Sequence, residues 1–146
     1  MLFALFLSLA DPDIPALLQK ADTALQEQRY ETAESLYRDV LKHSPDSFEA
    51  KYGLGRSLAF SRSWNEAVQV FTELLADHPH HADVLLSRGL VYTWKKEYGK
   101  AEEDLRRVVD RVPNYADAWS ALGNVYLQTQ EYRQAIDAYS RWVELA

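Results

Sequence analysis

The sequence predicts an all-α protein made of four repeated helical hairpins. Three observations carry this. Gly55, Gly89 and Gly123 stand 34 residues apart, and Ala33, Ala67, Ala101 and Ala135 keep the same step. Pro45, Pro79 and Pro113 keep it too, as do the aromatics Tyr30, Trp64, Tyr98 and Tyr132. Within each period the apolar residues recur at steps of three and four, which is helical spacing. One period shared by small, aromatic and proline positions is an internal repeat.

The units read as 14–47, 48–81, 82–115 and 116–146, after an apolar segment at 1–13. The first has Ala21 where the others have glycine, and continues with Tyr30, Ala33 and Tyr37 before Pro45. The second runs through Gly55, Trp64, Ala67 and Phe71, and the third through Gly89, Tyr98, Ala101 and Leu105. In the fourth, Trp119, Leu122, Gly123 and Tyr126 share one helix face, and Ala135, Ile136, Tyr139, Trp142 and Val143 share the next. The polar "QTQEY" between them is too short for anything but an antiparallel return. Each proline ends a second helix. Asp46-Ser47 and Asn114 then offer side-chain oxygens to the free N–H groups of the following helix.

A glycine inside a helix costs about 1 kcal/mol relative to alanine, so a contact must offset it. Gly123 and Ala135 are expected to form the hairpin's crossing point, with Trp119, Tyr126 and Tyr139 filling the space beside it. Gly99 falls in a turn; Gly53 is off the register and has no such role.

Composition narrows the function. The chain has 146 residues, 47% apolar and 26% charged, with a net charge of −6 and no lysine- or arginine-rich block. Nucleic acid and anionic membranes are therefore poor partners, since both require concentrated positive charge. The absence of cysteine excludes disulfides, thiolate metal sites and cysteine nucleophiles. The opening "MLFALFLSLA" is too short to span a bilayer, which takes about 20 residues. It has the character of a secretory leader's core, with Ser8 and Ala10 before a cut at Asp11, or of a cap over the first repeat.

The last unit's W-x2-L-G-x2-Y pattern (Trp119, Leu122, Gly123, Tyr126), followed by Ala135 and Tyr139, resembles the tetratricopeptide repeat (TPR) family. The tryptophan position is Leu17, Lys51 and Leu85 in the other units, whose small, aromatic and proline positions match. The resemblance implies a right-handed α-α superhelix, a solenoid whose concave groove binds peptides or proteins. It also implies that the first helix of each repeat lines the groove. Four-residue steps then nominate Tyr52, Arg56 and Phe60, Leu86, Leu90 and Trp94, and Ser120, Asn124 and Gln128, with Leu18, Asp22 and Gln26 in the first repeat. Some of these, Tyr52 and Leu86 above all, have the alternative of packing between repeats. Chaperone-binding members of the family hold a C-terminal carboxylate with Lys, Asn and Arg. The matching positions here are Leu18, Asp22, Gly53, Asp83 and Ser87, which carry no such clamp, so a chaperone tail is not expected.

Enzymatic motifs are missing: there is no H-E-x-x-H, phosphate loop or nucleophile elbow, and "GLG" at 53–55 lies within a helix. No cofactor is expected. "DHPHHAD" brings His78, His80 and His81 together beside Asp77 and Asp83, but in an inter-repeat turn, where solvated polar residues are the norm. The final helix, with Tyr132, Ile136, Tyr139, Trp142, Val143 and Leu145, carries more apolar surface than one hairpin buries; a homo-oligomer through this face is expected unless more chain follows.

The leading reading is a non-catalytic module that docks a partner's segment in the groove. The "YADAWSALGNVYLQ" style of repeat behind a leader-like segment resembles periplasmic TPR arms of bacterial envelope and polysaccharide-export proteins. The alternatives are a cytosolic assembly scaffold and, from another class, a metal-binding accessory protein using the histidine cluster.

Overall fold

The computed structural model of the protein describes residues 11–146, so the apolar run read as a leader or cap lies outside the described residues. These contain eight α-helices: α1 (Ile14–Gln26), α2 (Tyr30–His43), α3 (Phe48–Phe60), α4 (Trp64–Asp77), α5 (Ala82–Trp94), α6 (Tyr98–Arg111), α7 (Ala116–Gln128) and α8 (Tyr132–Leu145). They pair as α1/α2, α3/α4, α5/α6 and α7/α8, each hairpin stacking on the next. Successive first helices also touch (α1 with α3, α3 with α5, α5 with α7), whereas successive second helices do not. The first helices therefore line the inner, concave side of a helical solenoid. None of the eight helices is long and apolar enough to cross a membrane.

Each hairpin turns the same way. Gln28, Arg62, Lys96 and Gln130 have φ of 60°, 70°, 62° and 62°, in the left-handed region. The N–H of each bonds back three residues, and the next N–H bonds back five, as in Gln130 to Leu127 O (3.2 Å) and Glu131 to Tyr126 O (2.8 Å). This is the Schellman ending, which satisfies the last carbonyls of a helix. The helix starts vary more. Asp13 and Ser47 accept from the N–H groups of Ala16 and Ala50, both at 3.2 Å. Asn114 was expected to cap α7, but the N-cap is Tyr115, with no side-chain cap bond.

The glycines work differently from the expected backbone crossing. A Cβ on Gly123 would lie 2.6 Å from the Tyr139 ring, and one on Gly55 would lie 2.5 Å from the Phe71 ring. At Gly89 the close neighbour is the Leu105 side chain, at 2.9 Å. Each glycine is thus a socket for the large residue four positions after the repeat's alanine, and only at Gly89 is the alanine, through the Ala101 carbonyl, also among the nearest neighbours. Gly53, which the repeat register left without a role, receives the Tyr37 ring of the preceding repeat where its Cβ would be.

The third repeat departs from the apolar pattern. Its Arg88 stands where the flanking repeats have Leu54 and Leu122, and its Asp104 where they have Val70 and Ala138. Asp104 is 2% exposed and receives two hydrogen bonds from Arg88, at 2.7 and 2.8 Å. Arg88 also donates to Thr72 Oγ1 of the second repeat at 3.0 Å, tying two repeats together. These bonds to Asp104 hold the guanidinium charged and raise its pKa against the effect of burial.

Candidate functional site

The concave face is set by four-residue steps along the first helices, but side-chain size decides what stays accessible. In α3, Arg56 is exposed and Phe60 is 45% exposed; in α5, Trp94 is 38% exposed. The Phe60 and Trp94 rings lie 6.1 Å apart, and Tyr30 stacks on Phe60 at 5.4 Å, giving a continuous aromatic row across three repeats. Asn124 and Gln128 are exposed and Ser120 is half-buried. Asn124 accepts the Tyr139 hydroxyl at 2.6 Å. Leu90 is partly buried.

Leu86 and Tyr52 belong to the packing between repeats. Leu86 is buried, which removes it from the groove. The half-buried Tyr52 shares a hydrogen bond with Ser87 of the next repeat at 3.1 Å and packs against Phe48. Arg56 lies over the Tyr52 ring at 5.7 Å, so the aromatic orients the cation.

In the first repeat, Asp22 and Gln26 are exposed and Leu18 is half-buried. Asp22, Leu25, Gln26, Gln28, Tyr30, Arg56 and Phe60 line a cleft of about 580 Å³. It combines a carboxylate, a guanidinium, amides and an aromatic wall, which suits a peptide better than an apolar ligand. The carboxylate has a structural partner: the Tyr37 hydroxyl donates to Asp22 Oδ1 at 2.5 Å. Burial, then this bond, pushes the Tyr37 pKa up. Tyr115 makes the equivalent bond to Asp83, and its pKa is raised for the same two reasons. Asp22 and Asp83, two of the positions compared with a chaperone clamp, thus serve junctions within the solenoid.

Sequence reasoning missed a smaller cleft of about 260 Å³, lined by Ala59, Phe60, Arg62, Trp64 and Trp94. Arg62 lies over the Trp64 ring at 5.4 Å. The signal for it was in the repeat register: Arg62 and Lys96 stand where the outer repeats have Gln28 and Gln130.

The histidines do not converge. His78 and His80 are exposed, while His81 is half-buried at the start of α5, which corrects the reading of a wholly solvated turn. The rings of His78 and His81 pack on Phe48 at 5.1 and 4.7 Å. Among the described residues, no group of three or more His, Cys, Asp or Glu is placed to hold a metal ion.

The geometry defines a class: a helical-hairpin solenoid presenting one inner face. Models of the tetratricopeptide repeat match residues 24–85 and 95–146. The chain belongs to the tetratricopeptide repeat family, a family of protein-interaction scaffolds. No curated protein matches its sequence. Among solved structures it is similar to MamA (41-end) from Desulfovibrio magneticus RS-1, with a TM-score of 0.83 and 24% identity over 91% of this chain and 75% of that one. A second MamA structure gives a TM-score of 0.81 at 21% identity, over 91% and 78% of the two chains. MamA MSR-1 gives 0.76 at 16%, over 92% and 77%. At these identities the likeness is one of fold.

Proposed function

We propose that this chain is a non-catalytic interaction module that seats a peptide or helix of a partner protein along its first helices. The observation that carries this reading is the row of Tyr30, Phe60 and Trp94, in which Phe60 and Trp94 are well exposed and Tyr30 is half-buried. Exposed aromatics joined in one patch are characteristic of interaction sites, because water gains by leaving them. Replacing Phe60 and Trp94 together by alanine is expected to abolish partner capture in a protein whose circular dichroism is unchanged. Undiminished capture by the folded double variant would sink the groove assignment.

The leader-like run at 1–10 supports placing the module in the bacterial periplasm or envelope, in assembly or export. Intact mass of the protein from its native cell tests this. A chain beginning at Asp11 is expected, and one retaining the run would favour a cytosolic scaffold.

Self-association has its own observation. Ile136 and Val143 are each 65% exposed on α8, whereas Leu75 and Val109, at the repeat position of Val143, are buried under the next hairpin. A second copy covering α8 would bury this strip, and Ile136→Glu would then weaken it. Sedimentation equilibrium showing only monomer at high micromolar concentration would dismiss that contact.

A further inference from the structure

We infer that the rim formed by the turns of repeats two and three is a docking site for an acidic peptide segment carrying one large apolar or aromatic side chain. This rests on the groove reading above and names the partner's chemistry.

The argument starts from what distinguishes the middle repeats from the outer ones. Phe60 and Trp94 stand where the outer repeats have Gln26 and Gln128. Two residues on, Arg62 and Lys96 stand where the outer repeats have Gln28 and Gln130. Aromatic and cation thus arrive together, twice, and in the outer repeats both are replaced by amides. The turn does not demand cations, because Gln28 and Gln130 hold the same left-handed conformation.

Structure joins these residues into one surface. Phe60, Trp94, Trp64 and Arg62 line the 260 Å³ cleft, which has the size and apolar walls for a single large side chain. Among the described residues, Arg56, Arg62 and Lys96 form no ion pair. The nearby carboxylates are mostly engaged: Glu27 holds Arg29, and Glu97 holds Lys95 and Lys100. Glu31 and Asp22, the latter beside Arg56 in the larger cleft and accepting the Tyr37 hydroxyl, form no ion pair among the described residues and bound the positive stretch on its first-repeat side. On a chain of net charge −6, this is a local positive rim around an apolar cleft. Its complement is an apolar anchor flanked by Asp or Glu, because charge steers the approach while the desolvated ring supplies the hold.

The chain's own outer repeats supply substitutions that keep the fold. Arg62→Gln with Lys96→Gln, and Phe60→Gln with Trp94→Gln, copy residues already accommodated at these positions. The probe is a random dodecapeptide library displayed on phage, selected on the full chain. Synthetic copies of the winners are then titrated by fluorescence anisotropy, and thermal melts check each variant. The expected winners carry Asp or Glu around a Phe, Trp or Leu. The cation double variant should bind them about tenfold more weakly with a flattened salt dependence, and the aromatic double variant should not bind them measurably.

Winners without excess acidic residues would overturn the inference, as would acidic winners that bind both double variants like the parent. Non-acidic winners that still need Phe60 and Trp94 would leave the groove reading standing, whereas undiminished binding by the aromatic double variant would sink both. If the library yields no binder, the inference fails and the groove reading fails with it. Binding of phosphatidylglycerol vesicles in that situation would reassign the rim to a membrane surface.

Discussion

Arg88 and Asp104 show how much a single side chain can depend on its partner. A carboxylate buried to 2% exposure is tolerated because the guanidinium bonds both of its oxygens. Removing one member strands the other, at a cost of about 3–5 kcal/mol. Asp104→Ala is therefore expected to lower stability by that amount in urea titrations. Arg88→Leu combined with Asp104→Val, copying Leu54 and Val70, should recover it or exceed the parent. The glycine sockets separate in the same assay. Tyr37 is 1% exposed and held by Asp22, so it has no room to retreat from a methyl group at position 53. Tyr139 is only half-buried. Gly53→Ala should cost about 2–3 kcal/mol, and Gly123→Ala less. Tyr126 adds a pH dependence. Burial, then the charge of Glu102 and its hydrogen bond, pushes its pKa up to about 12. The fold thus favours the neutral phenol, and this contribution is complete below pH ~10, the unfolded value, and lost as pH rises towards about 12. Melting temperatures across that interval should fall less steeply in Tyr126→Phe. The out-of-step charges at 88 and 104 are legible in the repeat register. That they meet is not, since it depends on how two helices are rotated against each other.

At the level of the helix, the four Schellman turns use residues that the left-handed region disfavours. Glycine at any of these positions removes that penalty, roughly 1 kcal/mol, at a small entropic cost. Gln130→Gly should accordingly raise the melting temperature by about 1–4 °C. Prolines and small residues made the hairpins readable, because they act within one or two turns of themselves. Ser47 was readable as a cap for the same reason. Asn114 misled because Tyr115 takes the N-cap of α7 and sends its hydroxyl to Asp83 on α5. The groove was readable only in part. Four-residue steps give the direction a side chain points, not the depth of the neighbour it meets. Leu86 accordingly ends buried while Phe60 and Trp94, two repeats of one position, stay exposed.

Across the whole molecule, the two end faces differ. Gln19 and Thr23 are exposed on α1 where later repeats bury Gly53 and Ala121 (with Ser87 half-buried), or Ser57, Val91 and Val125. The α8 end carries the apolar strip instead. A quasi-one-dimensional stack frays from its ends, so amide exchange should be slowest in α3 to α6 and fastest in α1 and α8. Uniform protection along the chain would show one cooperative block instead.

Each helix touches only the next one or two along the chain, and this gives the molecule the mechanics of a leaf spring. No single joint opens or shuts it; a change of curvature is shared among three junctions. The first junction packs most closely, while the middle one adds polar ties: Arg88 reaches Thr72, Tyr52 reaches Ser87, and Arg107 donates to the Pro79 carbonyl at 2.5 Å. On the reading proposed above, a guest longer than one repeat would be met by small adjustments spread over all three junctions rather than by one hinge.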